Sequence, residues 1–110
     1  MKFNEVLETQ PGPELDRIIQ KHVMAASSVA RYSSDSNLAD AVRVKVNKSG
    51  KLFYIAEINF KYDDKTKEEI CSAVVRSRYG GNLVTAIKGK TYAEVICKAG
   101  FYVMIKTRDD

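Results

Sequence analysis

The most apolar stretch of the chain lies near its C-terminus and shows helical periodicity. It reads TYAEVICKAGFYVMIKT, from Thr91 to Thr107. Its apolar residues fall on more than one face of a helix, which is typical of a buried helix. Thr91 and Glu94 have the spacing of a capping box, in which the Thr91 hydroxyl caps the first turn and Glu94 accepts from the Thr91 amide. We therefore predict a central helix against which the other elements pack.

The N-terminal third predicts one amphipathic helix. Residues 1–10 show no sustained periodicity, so we expect a loose arm or a short turn there. Pro13 suits the first position of a helix, and apolar residues then recur at helical spacing as far as Ala26. The small and polar residues 26–34 predict a loop.

Two patterns compete in the next segment. Ser34 or Asp35 is a suitable N-cap for a second helix. In residues 42–46 (VRVKV), however, valines alternate with cations, which is typical of a strand. We predict a helix of one or two turns, then this strand, then a hairpin loop at residues 47–50.

The remaining segments predict an antiparallel sheet. A strand from Leu52 to Tyr62 leads through a charged turn into a strand over residues 69–79, and residues 83–87 form a short further strand. The fold class is therefore α+β: an antiparallel three- to four-stranded meander with an N-terminal helix and a C-terminal helix packed on it. The residues expected to be buried against one another are Tyr54, Ala56, Ile58, Val95, Ile96 and Ala99.

Length and composition restrict the function classes. At 110 residues and 12.3 kDa we expect one domain. No apolar run approaches the roughly 20 residues of a membrane span, and Glu5 and Glu8 stand where a signal peptide needs apolar residues. We expect a cytoplasmic protein without membrane contact. The net charge of +4 is compatible with an anionic partner.

The candidates for catalysis are few. Cys71, Cys97 and His22 are too few for a structural zinc site, which needs about four such ligands. We expect both thiols to be buried as small hydrophobic groups. The serines lack an arranged base and orienting carboxylate. We expect no enzymatic activity, no metal and no cofactor.

The most suggestive polar stretch is RSRYGGN, residues 76–82. Two arginines on one strand face can hold a phosphate, a tyrosine can stack on a base, and glycines let backbone amides approach an anion. The alternative is a solvated strand end that closes in a glycine turn. The other cations, including Lys98, are expected to solvate the surface. The candidate ligand-binding residues are Arg76, Arg78, Tyr79, Gly80, Gly81, Asn82, Lys88 and Lys90.

Three segments carry a family resemblance: PGPELDRIIQKHVM, YSSDSNLADAV and KTYAEVICKAGF. With them the chain resembles small phage and prophage proteins that have an α-β-α sandwich domain. Those proteins usually continue helically after the second segment, whereas residues 42–46 alternate here. Among members with a known role, the chain is most similar to Thoeris counter-defence sponges, which trap a cyclic ADP-ribose signal. None of their ligand-binding residues is matched position by position.

The resemblance implies a non-enzymatic phage or prophage accessory protein that acts by binding in the host cytoplasm. The expected ligand is a small anionic nucleotide of the cyclic ADP-ribose type, and we expect a homo-oligomer. The alternatives are an inhibitor of a host protein and an RNA-binding module, because helix, three strands and helix is also the element order of double-stranded RNA-binding domains. A basic pocket with an aromatic wall would favour the nucleotide, an exposed apolar patch the host protein, and a broad basic stripe RNA.

Overall fold

A three-stranded antiparallel sheet with helices before and after it forms the protein. The computed structural model describes the backbone of residues 2–109 and the side chains of residues 2–106. The elements are α1 (Phe3–Glu8), α2 (Pro13–Ile19), a π-helical turn (Gln20–Met24), α3 (Ser36–Ser49), β1 (Phe53–Asp63), β2 (Glu68–Ser77), β3 (Leu83–Gly89) and α4 (Tyr92–Asp109). The strand order is β1-β2-β3, and both pairs are antiparallel. The predicted α+β meander is confirmed, with three strands.

Helix α4 is the centre of the packing, as its apolar sequence predicts. It contacts all three strands and the other helices. Val95, Ile96 and Phe101 are at most 1% exposed. The Thr91 hydroxyl accepts from the Glu94 amide at 3.2 Å. The Glu94 carboxylate accepts from the Lys90 amide at 3.0 Å, whereas we predicted the Thr91 amide.

Helix α3 replaces the predicted short helix, strand and hairpin loop. Asp35 is its N-cap, with its carboxylate accepting from the amides of Asn37 and Leu38. Val42 and Val46 are fully buried, whereas Val44 is 53% exposed. The prediction of a strand at residues 42–46 was therefore wrong, because buried positions four apart follow helical spacing.

The helical register of α3 depends on its contact with α4. A Cβ atom at Gly100 would lie 3.1 Å from Val46 and 3.2 Å from Val42. The absence of a side chain at Gly100 lets the two helices approach closely enough to bury both valines. The predicted hairpin loop at residues 47–50 is instead the last turn of α3 and its C-cap, Gly50.

A bulge in β1 changes which residues face the helices. Ile55 pairs with Val75, but the next pair is Glu57 with Val74, so Ala56 is the extra residue. Ile55 is 1% exposed and lies in the core, whereas Tyr54 pairs with Arg76 on the opposite face. Of the three strand residues predicted for the core, only Ile58 packs against it. The prediction for Tyr54 and Ala56 was wrong because simple alternation cannot anticipate a bulge.

The N-terminal region is more ordered than its sequence predicts. Residues 3–8 form a helix instead of an arm or short turn, with Val6 fully buried and α1 contacting α4. Ser33, in the predicted loop, is also fully buried. Its amide and hydroxyl donate to Asp16 at 2.8 and 2.6 Å, and the hydroxyl accepts from Gly12 at 2.9 Å. These bonds tie the loop to the start of α2.

Candidate functional site

The strand register defines an outer face of the sheet. Residues whose side chains are buried towards the helices include Ile55, Ala73 and Ile87. The opposite set, which we call the outer face, consists of Tyr54, Glu57, Asn59, Lys61, Ile70, Ser72, Val74, Arg76, Leu83, Ala86 and Lys88. On this face the side chains of the two edge strands, β1 and β3, are more exposed than those of the middle strand, where Val74 is 7% exposed. Most of the predicted ligand-binding side chains lie on this face or at its ends.

The predicted glycine site forms the turn between β2 and β3. Gly80 and Gly81 have φ values of 95° and 71°, which favour glycine. The Gly81 amide donates to the Ser77 carbonyl at 3.1 Å, and the Ser77 amide donates to the Asn82 carbonyl at 2.9 Å. Tyr79 is 75% exposed at this turn. Turn geometry therefore accounts for both glycines without a ligand.

Both arginines of the predicted site have partners within the chain. Arg76 donates to Glu57 and to the Gly81 carbonyl, each at 3.1 Å. Arg78 donates to the Gly50 carbonyl at 2.7 Å and to the Asn47 carbonyl, and its guanidinium lies 5.5 Å from the centre of the Tyr54 ring. Arg78 thereby satisfies carbonyl groups at the C-terminus of α3. Because both groups support the fold, substituting them does not separate ligand contact from stability.

Lys88 and Lys90 lie at the other end of β3. Lys88 pairs with Ser72, whereas Leu83 pairs with Arg76. Ser72 and Arg76 are four positions apart along β2, which corresponds to about 13 Å. Lys90 is exposed after the strand, and its amide is bonded to Glu94. The structure thus divides the eight predicted residues into two groups and does not bring them together.

A cleft forms around Lys88 and the end of the β1–β2 hairpin. We call it the hairpin cleft; its lining residues are Lys61, Tyr62, Asp63, Asp64, Lys65, Ile70, Ser72 and Lys88. The Asp63 carboxylate already accepts from the Lys65 amide at 2.9 Å. Lys61, Lys65 and Lys88 come from β1, the turn and β3 respectively. Only Lys88 was predicted from the sequence, although strand alternation also places Lys61 on the outer face.

A second polar cluster joins α1 to α4. Lys98 is 4% exposed and donates to Glu94 at 2.8 Å and to the Leu7 carbonyl at 2.9 Å. Burial alone would raise the pKa of Glu94, but the Lys98 ammonium and the Lys90 amide hold it below its ordinary value. The prediction that Lys98 solvates the surface was wrong. Since Glu94 already occupies the N-terminal end of α4, this end offers an anion less room than a free helix terminus.

The two cysteine side chains are part of the protein core. Cys71 and Cys97 are buried as free thiols, as predicted, and burial raises the pKa of each. Within residues 2–106, whose side chains the structure describes, no group of three or more His, Cys, Asp or Glu side chains could hold a metal ion. None of the helices within residues 2–109 has the length and apolar character needed to cross a membrane. The hairpin cleft, where lysines of three separate segments border one concave surface, is the candidate binding site.

Known proteins add no further information. A scan against protein-family models finds no match for this chain, and searches of curated proteins and of solved structures find no match either.

Proposed function

We propose that this is a non-enzymatic binding protein for a small anionic nucleotide-like ligand, held in the hairpin cleft. One observation carries the proposal: three lysines from three separate segments border one cleft with a serine, and they outnumber its two aspartates, Asp63 and Asp64. The sequence resemblance suggests a cyclic ADP-ribose type of signal and a counter-defence role in a phage or prophage. Helix α3 continues to Ser49, so residues 42–46 are helical despite their alternating sequence, as in the proteins that the chain resembles.

The lining residues suit the parts of a nucleotide. Ammonium groups of Lys61, Lys65 and Lys88 can pair with phosphate oxygens. The Ser72 hydroxyl shares the outer face with Lys61 and Lys88 and can bond to a ribose or phosphate oxygen. Removing one charge-assisted hydrogen bond from such a site costs about 1.5–3 kcal/mol, which corresponds to roughly a tenfold or greater decrease in affinity.

Calorimetric titration tests this proposal. The wild-type protein is titrated with cyclic ADP-ribose isomers and with a panel of cyclic and linear nucleotides. We expect Lys65→Ala and Lys88→Ala each to weaken binding by about tenfold or more, with unchanged circular dichroism. Lys51→Ala is the matched control, because Lys51 is exposed and lies outside the cleft. No heat with any nucleotide, or equal affinities in all four proteins, would contradict the proposal.

A second candidate is binding of a host protein at the opposite end of the sheet. Tyr79 and Leu83 are 75% and 62% exposed, and both belong to the β2–β3 turn region. Large apolar residues exposed close together in the chain favour a protein contact. If this is the function, Tyr79→Ser with Leu83→Ser should abolish capture of a host protein while Lys88→Ala leaves it intact. RNA binding ranks lower, because Glu57 interrupts the cations of the outer face.

A further inference from the structure

The free edge of β1 is half blocked by the protein itself. Within the described residues, β1 pairs only with β2. At the start of its free edge, the Asn47 side chain accepts from the Ile55 amide at 2.9 Å and donates to the Ile55 carbonyl at 3.1 Å. Arg43 donates to the Ala56 carbonyl at 3.2 Å. These bonds occupy the edge at Ile55 and Ala56, as a neighbouring strand would.

Beyond the bulge the edge strand carries exposed aromatic residues. Phe60 and Tyr62 are 59% and 58% exposed, although they pair with Cys71 and Glu69 in line with the buried side of the sheet. Phe60 lies level with Gly89, which also pairs with Cys71 and precedes α4. Tyr62, two residues further along β1, therefore lies beyond the level at which α4 begins. An exposed aromatic pair beside an open strand edge is typical of an interaction surface.

We propose that a second copy of this chain covers that edge, with β1 pairing antiparallel to β1 of the other copy about a two-fold axis at Asn59. In such a pair, the residue on the axis faces its own counterpart, and residues equally distant from it face each other. Glu57 of each copy then faces Lys61 of the other. Glu57, Asn59 and Lys61 share the outer face, because they pair with Val74, Ser72 and Ile70 of β2.

The charges and the apolar residues both fit this register. Two Glu57–Lys61 pairs flank the axis, and directly opposed opposite charges stabilise cross-strand pairing. Arg76 binds one carboxylate oxygen of Glu57, Oε1, which leaves Oε2 for the lysine of the other copy. On the other side of the sheet, Ile58 of each copy faces Phe60 of the other, so the exposed aromatic ring acquires an apolar neighbour.

The neighbouring registers fit less well. An axis at Phe60 would place Glu57 opposite Asp63, and like charges in that position are destabilising. An axis at Ile58 would leave only residues 57–59 paired along the free edge, because Phe60 and Lys61 would lie opposite Ala56 and Ile55, which are already bonded to Arg43 and Asn47, whereas the axis at Asn59 leaves residues 57–61. The blocked edge and the charge order therefore select the axis at Asn59. The resulting dimer has a continuous six-stranded sheet and gives the expected homo-oligomer a defined surface.

Charge-reversal variants test the pairing directly. The molar mass of the full chain is measured by light scattering and sedimentation from about 1 to 200 µM, where we expect wild type to approach twice its 12.3 kDa. Lys61→Glu puts a glutamate opposite the Glu57 of the other copy in both pairs, and Glu57→Lys puts a lysine opposite the Lys61 of the other copy. We expect each variant alone to dimerise about tenfold or more weakly, and an equimolar mixture to restore dimers, because both charge pairs then become attractive.

The controls separate the interface from the fold. Lys21→Glu makes the same charge change on an exposed residue of the π-helical turn and should dimerise like wild type. Circular dichroism checks that Glu57→Lys, which can no longer pair with Arg76, remains folded. A monomeric wild type at every concentration would overturn the proposal. Folded variants that dimerise normally alone, or that fail to recover on mixing, would also overturn it. Lys61 borders the hairpin cleft as well, so the nucleotide titrations use Lys65 and Lys88, which lie outside the paired strand, and the two tests fail independently.

Discussion

At the scale of single residues, the buried ion pair of α4 shows how one polar contact orders the N-terminus. Lys98 joins Glu94 on its own helix to the last turn of α1 through the Leu7 carbonyl. A lysine near the C-terminus of a helix binds its unsatisfied carbonyl groups favourably. The spacing of four residues between Glu94 and Lys98 is visible in the sequence. The burial of the Glu94–Lys98 ion pair is not visible there, because it depends on α1 lying over α4.

Glu94 should make stability depend on pH in the acid range. Its pKa in the folded protein is below the ordinary value of 4.5, so the unfolded chain binds a proton more readily. The stabilisation is therefore fully present above about pH 5 and is lost as the pH falls through the lowered pKa. We expect urea unfolding at pH 3–7 to show this decrease in wild type.

The variant Glu94→Gln keeps the shape of the side chain and removes its ionisation. The fall in the free energy of unfolding below pH 5 should be smaller in this variant than in wild type. Glu14→Gln provides the control, because Glu14 is exposed. If the free energy of unfolding falls equally with decreasing pH in wild type and in Glu94→Gln, the Glu94 carboxylate is not the group that causes the decrease.

At the scale of elements, α3 and β1 depend on each other. The Asn47 side chain bonds to both backbone groups of Ile55, and Arg78 returns from the end of β2 to the carbonyls of Asn47 and Gly50. The C-terminus of the helix and the start of the strand are thus joined by side chains that bond to the backbone. Local propensity for a strand at residues 42–46 is overcome by these contacts and by burial of Val42 and Val46.

Asn47→Ala should destabilise this junction. It leaves the amide and carbonyl of Ile55 without their partners, and unsatisfied groups of this kind cost about 1–3 kcal/mol. We expect a lower free energy of unfolding in urea and faster hydrogen exchange at the Ile55 amide. Asn37→Ala makes the same change at an exposed position of α3 and should have little effect. Equal effects of the two substitutions would show that the bonds to Ile55 contribute nothing measurable.

At the scale of the whole molecule, α4 connects all parts of the fold. It contacts the three strands, α1, α2 and α3, and its side chains from Val95 to Val103 are largely inaccessible to solvent. A substitution in its middle should therefore reduce the stability of the whole protein. Ile96, which is 0% exposed, is the most direct position for this test.

Ile96→Ala should lower the free energy of unfolding by about 2–5 kcal/mol, because it removes buried methyl groups and leaves a cavity. Val44→Ala removes apolar atoms from a side chain that is 53% exposed, so its effect should stay within about 0.5 kcal/mol. Thermal and urea unfolding of the two variants provide the comparison. An unchanged melting temperature for Ile96→Ala would remove α4 from the centre of the core.

The sequence alone determined the elements whose signals are local and mutually consistent. The cap and apolar faces of α4, the buried alternation of Cys71, Ala73 and Val75 in β2, and the N-cap at Asp35 follow from side-chain chemistry within a few residues. The antiparallel meander followed from short strands separated by turns. These features need no knowledge of distant contacts, which is why periodicity and capping predicted them.

Tertiary structure decided the features that depend on residues far apart in the chain. Residues 42–46 are helical because Gly100 admits α3 closely against α4, and Ile55 replaces Tyr54 in the core because of the bulge. Arg76 and Arg78 are bonded within the fold, and Lys88 lies with the hairpin instead of with them. A sequence pattern gives the chemistry of a side chain. Tertiary packing decides which of these groups come into contact, because the contacting residues are far apart in the sequence and a local pattern cannot relate them.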